Sequence, residues 1–234
     1  MSSSFKTLSL SPDTLNNLDQ LGYTEMTAIQ AASLPLALAG QDLIAQASTG
    51  SGKTAAFGLP LVEKLTANFH AVQGLVMCPT RELADQVTTE IRRLARATAN
   101  IKVVTLCGGV ALRGQEQSLQ HGAHVVVGTP GRILDHLTRG NLRLDSVKTL
   151  VLDEADRMLD MGFFDDMKQL IQQCPPKRQT LLFSATYPEG IAKIASQFMR
   201  EPQTVKVQTV HQPDKIRQVF YEVREDERLH AVSL

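Results

Sequence analysis

Neither sign of charge prevails in this chain: 24 Lys and Arg stand against 24 Asp and Glu, a formal net charge of zero. A global basic field is therefore not what would draw a nucleic acid to it, and any such site must be local. No apolar run reaches the roughly 18 residues that a membrane-crossing helix needs, and the start, MSSSFKTLSLSPD, holds no apolar leader segment. These absences lead us to expect a cytoplasmic protein with no membrane partner. Cysteine is scarce. Cys78, Cys107 and Cys174 lie far apart, and no Cys/His spacing suits a zinc site. They are expected to act as small apolar residues without metal or redox chemistry. Internal repeats are missing, and the only low-complexity tract is SSS near the start.

What is present is alternation. Hydrophobic residues make up 43% of the 234 residues, enough for a full core. Short apolar runs predict strands: DLIAQA (42–47), GLVMCP (74–79), IKVVTLC (101–107), HVVVGTP (124–130), KTLVLDEAD (148–156), QTLLFSAT (179–186) and QTVKVQ (203–208). Amphipathic helical segments separate them, among them TAIQAASLPLALAG, which should end at Gly40, and TRELADQVTTEIRRLARAT. The pattern predicts an α/β fold, a mostly parallel sheet with helices on both faces. In such sheets ligands bind beyond the carboxyl ends of the strands. Near residue 208 the pattern changes to a polar link, a strand candidate IRQVFYEV and the start of a helix. Residues 1–207 are expected as one domain, and 208–234 as a linker and the beginning of a second.

The stretch AQASTGSGKT (45–54) follows the first strand and opens a helix. Glycines let successive backbone N–H groups converge on phosphate oxygens, and the helix N-terminus adds its positive dipole end. In such a loop Ala47, Ser48, Thr49, Gly50, Ser51 and Gly52 would cradle phosphates. Lys53 would reach the β- and γ-phosphates, and the Thr54 hydroxyl would ligate Mg²⁺. Gly52, Lys53 and Thr54 fit the G-x-x-x-x-G-K-[ST] pattern, but Ala47 stands where its first glycine belongs. GSGKTA also satisfies a looser dinucleotide-binding pattern, and a plain flexible loop would use the same residues. A second signal is TLVLDEAD (149–156), an apolar strand ending in Asp153-Glu154. A P-loop ATPase needs a strand-end carboxylate for Mg²⁺, which Asp153 supplies. Glu154 suits the role of ordering or deprotonating the attacking water. The dinucleotide pattern has no use for such a pair.

DEAD at 153–156 is the signature of the DEAD-box ATP-dependent RNA helicases, and the chain resembles that family from residue 5 to about 207. ASTGSGKT resembles its motif I, PTREL (79–83) motif Ia, GG (108–109) the next, TPGR (129–132) motif Ib and SAT (184–186) motif III. Upstream, GYTEMTAIQ (22–30) resembles the adenine-reading Q motif, and Phe5 lies where the family has a further aromatic. The phrases CPTRELADQV, LCGG, DEADRMLDMGF and RQTLLFSAT look most like the bacterial DbpA-type branch, which acts on large-subunit ribosomal RNA. The resemblance implies an N-terminal RecA-like P-loop NTPase domain, with ATP and Mg²⁺ as cofactors and RNA as partner. It also implies a second RecA-like domain of the same protein, in a monomer.

Residue by residue, the resemblance implies that Gln30 pairs with adenine and Tyr23 stacks on it. An amide can pair bidentately with adenine N6 and N7. Met26 and Ala28 stand where the family commonly has prolines, so a slightly altered loop rigidity is expected. RNA contacts are expected from Pro79, Thr80 and Arg81, from Gly108 and Gly109, and from Thr129, Pro130, Gly131 and Arg132. These loops offer close backbone approach, hydroxyls and cations for sequence-blind phosphate contacts. Each would also serve as a structural turn, with its Arg paired to an acid such as Glu82 or Asp135. Ser184, Ala185 and Thr186 are expected to couple ATP state to RNA through the DEAD segment, or simply to cap the next helix. RRLARA (92–97) reads as a solvated basic face, with RNA contact as the alternative. The family's arginine-finger segment, H-R-x-G-R, is missing, so poor ATP turnover and no unwinding are expected of this chain alone. A nucleotide-switched RNA clamp that anchors other proteins would use the same residues. A DNA helicase or another P-loop ATPase is the remaining alternative, and the Q motif argues against it.

Overall fold

The computed structural model describes residues 4–207. Seven strands form one sheet in which every pairing is parallel: β1 (Leu43–Gln46), β2 (Gly74–Met77), β3 (Val103–Leu106), β4 (Val125–Gly128), β5 (Thr149–Leu152), β6 (Gln179–Ser184) and β7 (Gln203–Lys206), in the spatial order β3-β4-β2-β5-β6-β1-β7. Helices cover both faces. On one lie α1 (Pro12–Gln20), α2 (Ala28–Leu38), α3 (Lys53–Glu63) and α4 (Arg81–Leu94). On the other lie α5 (Leu112–Gln120), α6 (Pro130–Thr138), α7 (Ala155–Asp160), α8 (Phe164–Gln173) and α9 (Glu189–Phe198).

The two-residue period of a strand explains why the runs are continuously apolar. Ala45, Val76, Val127, Val151 and Phe183 point into the core under α1–α4. Their neighbours Ile44, Leu75, Met77, Val126, Leu150, Leu152 and Leu182 point into the core under α5–α9. Phe57 of α3 meets Phe183 of β6 edge-on at 5.3 Å, anchoring the helix that carries the glycine loop. All three cysteines are buried and unbridged, and burial raises each thiol's pKa.

Three predicted segments differ in detail. The run KTLVLDEAD is strand only through Leu152. Glu154 takes a left-handed backbone (φ 50°, ψ 50°), which turns the chain into α7, a helix the apolar period concealed. The long helix after PT ends at Leu94 and tightens into a 3₁₀ turn, Ala95–Ala97. The helix expected to stop at Gly40 ends at Leu38, with Gly40 just beyond it at φ 84°. The linker and second-domain start expected at 208–234 lie outside the described residues.

Candidate nucleotide and nucleic-acid site

The family motifs named in the sequence lie along the carboxyl edge of the sheet except GYTEMTAIQ, which precedes β1. The strand order sorts them. GG follows β3, TPGR follows β4 and PTREL follows β2, side by side on one half. DEAD follows β5, SAT closes β6 and the glycine loop follows β1 on the other half.

The glycine loop leaves β1 with the Ala47 N–H still bonded to Ser184 O at 3.1 Å, so Ala47 extends the sheet pairing. Ala47 is not among the residues of positive φ, so the missing first glycine is not required by the backbone here. The loop then tightens: the Ser51 hydroxyl donates to Ser48 O at 2.7 Å. Gly50 (φ 79°) and Gly52 (φ 94°) take conformations that favour glycine. A Cβ at Gly52 would lie 2.6 Å from Gln30 Nε2 and 3.0 Å from Thr27 Oγ1, so space as well as φ demands glycine. Lys53 opens α3. It is only 6% exposed, and its ammonium is buried without a hydrogen-bond partner among the described residues.

Across a cavity of about 410 Å³ from this loop lies the Asp153-Glu154 turn, with Tyr23, Lys53 and Thr54 also in the wall. Burial pushes the Asp153 carboxyl up to about 6, against the pull of the Lys53 charge, with the neighbouring Glu154 adding to the rise. Glu154 is held on both oxygens: Oε1 accepts the Thr49 hydroxyl at 3.1 Å, and Oε2 accepts Arg157 at 3.3 Å. A left-handed backbone costs a non-glycine residue about 1–2 kcal/mol, and here that strain sits beside two buried acids.

Behind the glycine loop, α2 begins with a reciprocal cap in which Thr27 and Gln30 each bond the other's backbone. Gln30 is 2% exposed. Its Oε1 accepts Thr27 N, and its Nε2 donates to Gly52 O at 3.0 Å. The amide expected to read adenine thus braces the loop in this conformation and does not line the cavity. Tyr23 does line it. Its hydroxyl donates to Glu90 at 2.6 Å, and the Phe5 ring stands perpendicular to it with centroids 5.9 Å apart. Burial, then the Glu90 hydrogen bond, raises the phenol's pKa. Where the family commonly has prolines, Met26 is buried in the core, and Ala28 is the first residue of α2.

Sequence reasoning missed the wall that α4 supplies. Leu83, Gln86 and Glu90 face the cavity, spaced three and four apart from the end of PTREL, the period of one helix face. Arg93 pairs with Glu90 at 2.8 Å, and Arg92 donates to Val103 O on the edge strand, so two cations of the basic run have protein partners.

SAT is tied to DEAD. The Thr186 N–H and hydroxyl both donate to Asp156 Oδ2 at 2.9 Å, and the Asp156 N–H donates to Ser184 Oγ at 3.2 Å. Burial alone would raise the Asp156 pKa, but these bonds hold it below the usual range. The hydroxyls do not cap the next helix, whose N-cap residue is Pro188. Ala185 sits between them, exposed.

On the other half, Pro79 is buried and the Thr80 side chain caps α4 through Leu83 N. Arg81 is half exposed. It lies 3.7 Å from Asp85, and its guanidinium reaches towards the Gly109 turn (φ 75°). Gly108 faces open space. Thr129 and Pro130 start α6, and a Cβ on Gly131 would meet only Asp166 at an ordinary 3.5 Å. Arg132 Nη1 donates to Val110 O and to Gln115 Oε1. Neither Glu82 nor Asp135 takes these arginines: Asp135 pairs with Arg139.

A family model described as DEAD/DEAH box helicase matches residues 27–194. The chain belongs to this family. It is 54% identical over 219 residues to the ATP-dependent RNA helicase DbpA of Escherichia coli (strain K12), which covers 93% of this chain and 48% of that protein. It is 47% identical over 230 residues to the DEAD-box ATP-dependent RNA helicase CshA of Geobacillus kaustophilus, covering 98% and 49%. The chain thus spans about half the length of these curated relatives. The crystal structure of a DEAD box protein from the hyperthermophile Methanococcus jannaschii superposes with a TM-score of 0.84 at 41% identity, covering 98% of this chain and 62% of that one. The fold is thus the RecA-like domain of a DEAD-box protein. No helix among the described residues is long and apolar enough to cross a membrane.

Proposed function

We propose that this chain is the ATP-binding domain of an ATP-dependent RNA helicase, which couples ATP binding and hydrolysis to local unwinding of short RNA duplexes. The observation that carries this reading is the buried, unpartnered Lys53 ammonium on a cavity faced by Asp153 and Glu154. Burying an ammonium whose hydrogen bonds are unmade is costly even beside the Asp153 carboxyl, so the position makes sense where a further anion completes it.

The residues fit ATP and Mg²⁺. The Gly52 cradle admits no Cβ, and the loop N–H groups and α3 terminus suit phosphate. Mg²⁺ needs one or two carboxylates beside phosphate oxygens and water, so Asp153 with the Thr54 hydroxyl suffices without a protein cage. Held by Asp153 and Thr54, Mg²⁺ would supply charge neutralisation for the phosphates during transfer. Lys53 holds the terminal phosphates. Glu154 Oε1 exchanges the Thr49 hydroxyl for the attacking water and takes its proton. Tyr23 offers its ring to the adenine. Gln30 reaches the base only by releasing its brace on Gly52, which frees the amide to pair with adenine.

The loops after β2, β3 and β4 receive the RNA backbone, and the Ser184 and Thr186 bonds to Asp156, inside the nucleotide half, serve to make the DEAD segment answer the state of ATP. Turnover requires arginines from a second RecA-like domain of the same protein, worth on the order of 10³–10⁵ in rate in related NTPases. We place the whole protein, a cytoplasmic monomer, on ribosomal RNA in large-subunit assembly, as the DbpA likeness suggests. Calorimetric titration of ADP and GDP with Mg²⁺ tests the core of this reading. ADP should bind and GDP should not, with binding weakened in Gln30→Ala and lost in Lys53→Ala. Equal binding of both nucleotides, unaffected at Gln30, would leave only a generic P-loop NTPase.

A further inference from the structure

Helix α5 looks solvated in sequence, LRGQEQSLQ, yet its Gln115 is buried. The side chain sits where three elements of the RNA-facing half meet. Its Nε2 donates to Cys107 O at 2.9 Å, at the root of the Gly108-Gly109 turn. Its Oε1 accepts Arg132 Nη1 at 3.0 Å and His136 Nε2 at 3.0 Å, filling both lone pairs. The same Arg132 nitrogen donates to Val110 O at 3.1 Å, on the far side of that turn. One amide therefore fixes the turn and the arginine relative to each other.

Arg132 is held by this one nitrogen. Its Nε and Nη2 have no protein partner among the described residues, so the free edge of the fork is available to an anion. Burying a primary amide is favourable only when its hydrogen bonds are made, and here they are made to the groups that would otherwise wander. His136 lies fully buried below, so the Gln115 carbonyl cannot swing inward without displacing it.

We infer that Gln115 is a positioning residue for RNA binding: it locks the Gly108-Gly109 turn and Arg132 into one phosphate-binding surface, touching no RNA itself. The inference rests on the reading that these loops receive RNA, and the test separates the two. Titrate single-stranded oligouridylate into the isotope-labelled chain by NMR, which also reads weak binding. Compare wild type with Arg132→Ala, Gln115→Leu, the double variant and Gln115→Glu, and measure ADP affinity on each.

Gln115→Leu keeps the volume and removes all three bonds. It should weaken RNA binding roughly tenfold, the size of a lost charge-assisted contact, and leave ADP affinity unchanged. The double variant should fall short of additivity, because both changes remove the Arg132–Gln115 bond and only the Cys107 bond to the turn is lost anew. Gln115→Glu, which keeps the acceptor for Arg132 and loses the donor to Cys107, should recover part of the loss. Arg132→Ala weakening RNA binding while Gln115→Leu does not would overturn the inference alone, as would full additivity in the double variant. RNA binding unaffected by Arg132→Ala, or no RNA-dependent shifts in these loops, would overturn the underlying reading and the inference with it.

Discussion

The two halves of the carboxyl edge are built by opposite means. Around β1, β5 and β6 the charged groups are buried: Lys53 and Asp153 are almost wholly enclosed, Glu154 is pinned on both oxygens, and glycine is demanded by space as well as by φ. Around β2, β3 and β4 the charges are half exposed, and a Cβ on Gly108 would meet nothing within 4 Å. The first arrangement suits a small, highly charged ligand recognised atom by atom. The second suits a long polyanion touched at many points and read at none. Asp156 ties two elements of the first half together, since it lies in the first turn of α7, after β5, and receives the bonds of Thr186, after β6.

The comparison breaks most sharply at Lys53. Lys53→Ala should weaken ADP binding by roughly 100-fold or more, the loss of two charge-assisted bonds at about 1.5–3 kcal/mol each, while RNA shifts in the other half persist. Calorimetry beside the NMR titration checks both. Loss of RNA binding as well would mean that the halves are not separable. Asp156→Ala comes next. Removing the charged acceptor of two bonds should cost about 2 kcal/mol in urea unfolding without changing ADP affinity in the isolated chain. Within the open half, Gly109→Ala should cost about 1–2 kcal/mol, because φ is 75°, whereas Gly108→Ala should lie within about 0.5 kcal/mol of wild type.

The smallest effect concerns His136. Burial, then the Arg132 charge, lowers its pKa, against Asp135 and Glu116, with Arg139 adding to the lowering. The unfolded state therefore binds the proton more readily. Stability from this residue is present above the ordinary histidine value of about 6.5 and is lost as pH falls through the depressed folded value. His136→Gln should flatten the fall in stability between about pH 7 and pH 5 relative to wild type, as read by chemical denaturation at each pH. An unchanged slope would show that the ring is not held neutral.

Legibility followed the same division. The strands were plain because both faces are buried, which makes Leu150-Val151-Leu152 apolar throughout. The glycine loop and the acid pair were visible because phosphate chemistry dictates residue type at fixed spacing. Helix α7 was hidden because its start depends on one left-handed glutamate, a conformation that side-chain pattern does not encode. Glu90 and Gln115 were hidden for another reason. Each works through a partner far off in sequence, Tyr23 in one case and Cys107 and Arg132 in the other, and polar helix positions read as solvated until the fold buries them. Gln30 was visible as a residue but not in its posture behind the loop.

The unpartnered Lys53 ammonium also makes the domain a detector. A compound that completes that interior binds the folded chain and not the unfolded one, and so raises its melting temperature, by about 2.7 kcal/mol of added stability at a hundredfold excess over Kd. Screening by heat resistance would then find inhibitors of the nucleotide site without any RNA, any second domain or any turnover in the tube. Comparing each hit on wild type and on Lys53→Ala would sort those that answer the buried charge from those that merely coat the surface.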